Sequence, residues 1–235
     1  MSIAGIFPIK NWDFDSESIL MDLPADELTA LTAHQSIHNY DKGEVIFREG
    51  AFPSGIFYIS KGMAKKFKVD KEGREQIIYV AGPGELIGYH AILSEDRYPD
   101  SAAALEKSKI IFIPKEDFLR VLAKSNVLSK RLLKTLSHEF AVLINGLTLV
   151  AKRSVKERLA LQLIVMREKY KADNHSANIV EINLSRDDLA NLVGTTKENV
   201  VRILTEFENE GILKRKGRKI IVQKVKHLVE ISNYK

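Results

Sequence analysis

Cysteine is absent from the 235 residues. That excludes disulfides, thiolate nucleophiles, Cys-ligated zinc and Cys-ligated iron–sulfur clusters. Long apolar runs are absent too. Nothing approaches the roughly 20 residues of a membrane helix, so no membrane partner is expected. The opening MSIAGIFPIK has no basic region followed by an apolar core. A signal peptide is therefore not expected, and the cytoplasm is the expected location. No P-loop, nucleophile–base pair or metal spacing is found, so neither an enzyme nor a metal protein is expected. The histidines, at 34, 38, 90, 138, 175 and 227, are scattered. Only His34 and His38 have a metal-like helical spacing, with no third ligand nearby.

What is present is a composition of 45% hydrophobic and 29% charged residues, ordinary for a globular protein. The net charge of +5 is unevenly placed: residues 153–235 hold 17 Lys and Arg against 11 Asp and Glu, and the remainder is close to neutral. A basic final third on a neutral body suits a polyanion, although a merely solvated basic surface would look the same.

Three regions of different rhythm predict an α+β chain with domains at 1–114, 115–152 and 153–235. In the first, after a short helix in LPADELTALTAH, come short β runs: GEVIFREG, GIFYISKG, MAKKFKV, QIIYVAG and SKIIFIP. The polar VDKEGREQ suits a hairpin turn, and the set suits a small barrel or jelly roll. In the second, Leu132, Leu136, Phe140, Leu143, Leu147 and Val150 recur at helical steps, predicting a helix over 127–151 with one apolar stripe. So narrow a stripe on so long a helix suits a coiled-coil seam with a second copy, hence a homodimer; the plainer alternative is packing on its own domain. In the third, Ser154 and Glu157 fit a capping box that restarts the helix after a break near 151–153, and KADNHSANIV reads as a polar loop.

The densest signal is LSRDDLANLVGTTKENVVRILTEFENEGIL. Ser185 can cap a helix with Asp188 three residues on, and Leu189, Leu192 and Val193 give it an apolar face. Gly194 suits a left-handed turn. Thr195 or Thr196 can cap a second helix that buries Val200, Ile203 and Leu204 and presents Lys197, Glu198 and Arg202. This is the pattern of a helix-turn-helix, with Thr196, Lys197, Glu198, Asn199 and Arg202 as candidate DNA-binding residues. Glu198 has a second reading, as the capping-box partner of Thr195. GILKRKGRKIIV then reads as two strands about a turn at Lys216–Gly217, a wing whose Lys214, Arg215, Lys216, Arg218 and Lys219 suit phosphates.

Across nearly its full length the chain resembles the catabolite-activator/fumarate-nitrate-reductase (CRP/FNR) group of bacterial transcription regulators. GEVIFREGAFPSGIFYISKGMAKKFKVDKEGREQIIYVAGPGELIG resembles its cyclic-nucleotide-binding barrel in glycine placement, and LSRDDLANLVGTTKENVVRILTEFENEGILKRKGRKIIV resembles its winged helix-turn-helix. The resemblance implies a dimer on a palindromic double-stranded operator, with RNA polymerase as a partner. It also implies a small-molecule effector sensed in the barrel near Gly84, Glu85, Gly88, Tyr89, Arg97, Ser101, Ala102, Leu143 and Ile144. Cyclic AMP is not the expected effector. Tyr89 stands where the family has a Glu, Asp100 where it has an Arg, and Leu143 and Ile144 where it has small hydroxyl residues. The oxygen-sensing branch's iron–sulfur cluster is excluded by the absence of Cys. Haem is not expected either: His90 matches one haem ligand of the carbon-monoxide-sensing branch, but that branch's redox-partner Cys is missing.

Overall fold

The structure, a computed structural model, describes residue 3, residues 5–173 and residues 180–234. His175 and most of the polar KADNHSANIV loop lie outside the described residues. The chain divides into two compact units, Phe14–Arg74 with Ile78–Phe140, and Met1–Asp13 with Glu75–Ile77 and Ala141–Lys235. No helix among the described residues is long and apolar enough to cross a membrane.

A short 3-10 turn, Ile9–Trp12, belongs to the unit that holds Ala141–Lys235; in the barrel, the turn Ser16–Ile19 precedes α1 (Ala25–Leu31). Eight strands follow: β1 (Ser36–Tyr40), β2 (Val45–Phe47), β3 (Gly55–Lys61), β4 (Ala64–Val69), β5 (Glu75–Ala81), β6 (Leu86–Ile87), β7 (Ser101–Ala104) and β8 (Ser108–Pro114). They form two four-stranded sheets, β1-β8-β3-β6 and β2-β7-β4-β5, the jelly-roll arrangement expected. All five β runs read from the sequence are strands, as β2, β3, β4, β5 and β8. VDKEGREQ makes the turn between β4 and β5, closed by Asp70, whose carbonyl accepts from Gly73 and whose amide donates to Arg74. β1 escapes a pattern reading because it is exposed along most of its length.

Alternation along β3 sends its side chains to two different cores. Phe57 faces Phe47 of the other sheet at 5.5 Å between ring centroids. Ile56 and Tyr58 face the other way, into a layer of helices: α1, α2 (Tyr89–Leu93), α3 (Lys115–Leu122) and the start of α4 (Asn126–Lys152). That layer buries Ile19, Leu31, Tyr89, Ile92, Phe118, Leu128 and Leu132. α4 has 27 residues, about 40 Å at 1.5 Å each.

The apolar stripe on α4 differs from the expected one at its start. Leu132 is buried in the helical layer and Leu136 lies against it. The exposed line begins at Leu133 (67% exposed) and continues through Phe140, Leu143, Leu147 and Val150. Neighbouring residues on a helix point about 100° apart, so a one-residue choice between two leucines decides which face each serves.

In the C-terminal unit, α5 (Val155–Asp173) starts as predicted. The Ser154 amide donates to the Glu157 carboxylate at 2.7 Å, and the Glu157 amide donates to Ser154 Oγ at 3.3 Å. After β9 (Glu181–Ile182) come α6 (Arg186–Val193), α7 (Lys197–Asn209), β10 (Leu213–Lys216), β11 (Lys219–Val222) and α8 (Val225–Ser232). The three strands form one sheet in the order β10-β11-β9.

Gly62 joins β3 to β4 with φ +83°, and a Cβ built on it would lie 2.4 Å from Ser108 Oγ and 2.7 Å from the Lys107 carbonyl oxygen. Gly62→Ala therefore combines a left-handed backbone with a backbone clash. It is expected to destabilise the barrel by about 2 kcal/mol or more in urea unfolding, while Gly73→Ala, which meets open space at a similar φ, loses less.

Candidate functional site

Ser185 caps α6. Its Oγ accepts from the Asp188 amide at 3.0 Å and donates to the Asp188 carboxylate at 2.5 Å. Gly194 ends the helix in the left-handed region (φ 71°, ψ 56°) and turns the chain into α7. Thr196, not Thr195, is the cap of α7; the Thr195 hydroxyl instead accepts from Asn199 Nδ2 at 3.2 Å. α7 buries Val200, Ile203, Leu204 and Phe207. Lys197, Glu198, Val201 and Arg202 are exposed on the opposite face. Lys197 Nζ lies 2.9 Å from Asp187, and Arg202 is paired with Glu206 one turn on at 2.6 Å. These are exposed pairs of small energy, so both cations remain available to a stronger anion.

Arg158 of α5, which pattern reading missed, holds the turn from behind. Its guanidinium donates to the carbonyls of Val193 (2.9 Å) and Gly194 (3.1 Å). These are the carbonyls left open where α6 ends.

The wing is a tight hairpin with Lys216 opposite Lys219, so the turn is Gly217–Arg218. Lys214, Lys216, Arg218 and Lys219 are exposed. Lys219 is paired with Glu181 of β9, a two-residue strand too short for a pattern reading to find. Arg215 departs from the expected phosphate role. It turns back onto α7, where its amide and Nε donate to Glu208 at 2.9 and 2.7 Å. These bonds anchor the wing to α7. They also hold the Glu208 carboxyl below the usual range. This tie therefore contributes stability above the unfolded Glu pKa of about 4.3 and loses it as pH falls through the lower folded value. Arg186 of α6 donates to the carbonyls of Gly217 (3.2 Å) and Arg218 (3.1 Å) at the wing tip.

The residues expected near an effector lie in several different surroundings. Gly84 (φ +91°) and Gly88 (φ +86°) shape the turns around β6. Glu85 is buried and spent inside the barrel wall: it accepts from the Gly82 amide at 2.9 Å and from the Tyr79 hydroxyl. Tyr89 is fully buried in the helical layer, outside the two-sheet core. Its hydroxyl donates to Glu139 of α4, whose other oxygen lies 2.6 Å from His90 Nε2. Burial and then the Glu139 charge push the Tyr89 phenol well above its ordinary value.

Ser101 Oγ accepts from the Glu49 amide at 2.9 Å, and Ala102 is fully buried. Arg97 lies outside: it donates to the Gly50 carbonyl at 2.7 Å and stacks 3.8 Å from the exposed Phe52 ring. Leu143 and Ile144 are 43% and 46% exposed on α4.

Asp100 is buried and faces Lys66 at 3.2 Å, and Lys66 is buried with it. Lys66 was missed by pattern reading. Lys66 and Phe47 both pair with Ala102, so the three form one row. Phe47 faces Phe57 across the sheets, which points Lys66 into the barrel interior. His34 and His38 are not on a helix. His34 follows α1 and lies 3.0 Å from Asp117, and His38 is in β1.

A capped helix pair around a left-handed glycine, followed by a basic two-stranded wing, defines a winged helix-turn-helix behind a jelly-roll barrel. Two family models agree: the cyclic nucleotide-binding domain matches residues 37–125, and the Crp-like helix-turn-helix domain matches residues 157–231. The chain is 33% identical to the transcriptional activator protein FnrA of Stutzerimonas stutzeri over 76% of its length and 73% of that protein's. It is 30% identical to the transcriptional activator protein anr of Pseudomonas aeruginosa over the same shares of each. Among solved structures it superposes on FixK2 from Bradyrhizobium japonicum with a TM-score of 0.73 at 21% identity, covering 84% of this chain and 96% of that one. The chain belongs to the CRP/FNR family of transcription regulators, which are not enzymes.

The geometry separates two kinds of wing cation. Lys214→Ala or Lys216→Ala is expected to flatten the dependence of log K on log salt for non-specific duplex by about one unit each. Arg215→Ala should leave the slope almost unchanged, and Glu208→Gln, by freeing Arg215, should steepen it. Binding titrations between low and moderate salt read all four variants.

Proposed function

We propose that the chain is a homodimer that binds a palindromic double-stranded DNA operator by placing α7 in the major groove. Lys197, Glu198 and Arg202 would meet base edges, while Thr196, Asn199, Lys214, Lys216 and Arg218 hold phosphates. The observation that carries this reading is the exposed charged face at the N-terminal end of α7, opposite a fully buried apolar face. Arg is suited to guanine O6 and N7 and Glu to cytosine N4, so the half-site contains a G·C pair. Lys197 is a point donor and discriminates less. Regulation of transcription from such an operator needs RNA polymerase as the partner, and the cytoplasm as the compartment.

The dimer reading is supported by Leu133, Leu136, Phe140, Leu143, Leu147 and Val150, which step by three and four along α4 as the a and d positions of a heptad do. Five of the six are exposed, more apolar surface in one line than a lone helix leaves in water. An effector would act by favouring one arrangement of the two winged domains, as a population shift. The buried Lys66–Asp100 pair argues that this effector is not a cyclic nucleotide: a phosphate would have to displace a carboxylate already desolvated against its cation.

Arg202→Ala is expected to weaken binding to the selected operator by about 1–3 kcal/mol and to lose preference at one G·C position, with non-specific duplex scarcely affected. Selection from random duplex that returns no symmetric pattern would refute the reading. Leu147→Asp is expected to convert the sedimenting species from dimer to monomer without loss of helicity, and to abolish operator binding at concentrations where the parent protein is saturated.

A further inference from the structure

Among the described residues, a cavity of about 420 Å³ lies where the helical layer meets the β1-β8-β3-β6 sheet. It lies within the barrel unit, and none of its walls belongs to the row that carries Lys66 and Asp100. Leu20, Leu28, Ile111 and Ile113 make its walls apolar, and the Tyr58 phenol and Gln35 amide add two groups capable of hydrogen bonding. The volume falls within the range of small-molecule sites, which are mostly apolar with a few orienting polar groups.

Three observations say what it would take. Among the described residues of the lining Glu17 is the only charged one, so an anion entering the site would meet a carboxylate. Met21 and Leu28, at 55% and 40% exposed, leave apolar surface open to water at the site. Cover by a neutral apolar molecule removes that surface from water at no cost in buried charge. The wall is also tied to α4. Arg131 donates to the main-chain oxygens of Met21 and Asp22, the latter at 3.3 Å, and Ser18 lies 3.4 Å from Thr135 through their hydroxyls.

We propose that this cavity is a binding site for an uncharged, largely apolar small molecule of about 10–15 heavy atoms carrying one hydrogen-bonding group. The site is distinct from the interior of the barrel, and it touches the segment that α4 holds through Arg131 and Thr135. Binding here does not depend on whether the chain recognises an operator, so the two readings fail separately.

The test uses the full chain labelled at its methionine methyl groups, of which there are four. Met21 is assigned through Met21→Leu. The probe is 2-naphthol, and 2-naphthoate serves as its anionic counterpart. The expected result is a saturable shift of the Met21 methyl resonance with 2-naphthol, with the buried Met63 and Met166 unmoved. The naphthoate should bind at least about tenfold more weakly. Leu28→Trp, at an exposed position of α1, should abolish the shift by filling the site. Val69→Trp, also exposed but on β4, should leave it intact. No saturable shift at Met21, a shift at Met63 in its place, or equal affinity for the two probes would each overturn the proposal. The probe comparison is made on the parent protein and holds even where a variant fails to fold.

Discussion

Burial of Leu128, Leu132, Thr135 and Glu139 along one line of α4 fixes the rotation of that helix about its own axis. Two of the four are apolar and pack into the helical layer. Glu139 is a carboxylate almost without exposure, kept there by the Tyr89 hydroxyl and by His90 Nε2 at 2.6 Å. Losing either partner would leave a buried charge short of donors, so the angular setting is enforced by more than hydrophobic contact. Once it is set, Leu133, Phe140, Leu143, Leu147 and Val150 have only one direction left to face, and that direction is water.

The winged unit uses its basic residues in two distinct ways. Arg158, Arg186 and Arg215 are spent on backbone carbonyls or on Glu208 and give the helix-turn-helix and wing a definite shape. Lys197, Arg202, Lys214, Lys216 and Arg218 are exposed. Arginine's planar fork suits the first role, because it can satisfy two carbonyls or both oxygens of one carboxylate at once. The net positive charge of the final third therefore overstates the number of cations a polyanion would meet.

Local chemistry was legible in the sequence wherever one residue type answers one backbone requirement. Ser185 with Asp188, Ser154 with Glu157, and Gly194 at the turn all stand where their spacing puts them. Strand β runs were readable where apolar residues meet turn residues, and the exposed apolar line on α4 was readable from Phe140 onward. The rest depends on tertiary placement. Leu132 and Leu133 are chemically identical, and only the helical layer chooses between them. Lys66 stands next to Lys65 in β4 and reads like any solvated lysine, and its inward direction follows from pairing with Ala102, distant in sequence. Arg215 and Glu208 belong to a strand and a helix whose approach no short pattern encodes. The family resemblance puts Tyr89 in the pocket, yet the turn at Gly88 aims it away from the barrel interior.

The Lys66–Asp100 pair has a further consequence. Mobile ions weaken electrostatic interactions that water can reach and hardly touch those sealed from it. The barrel's internal charges are sealed, with side-chain exposures of 10% and 9%, whereas the wing lysines stand in solvent. A rise in ionic strength thus weakens the wing's hold on a polyanion while hardly touching the charge pair sealed inside the barrel.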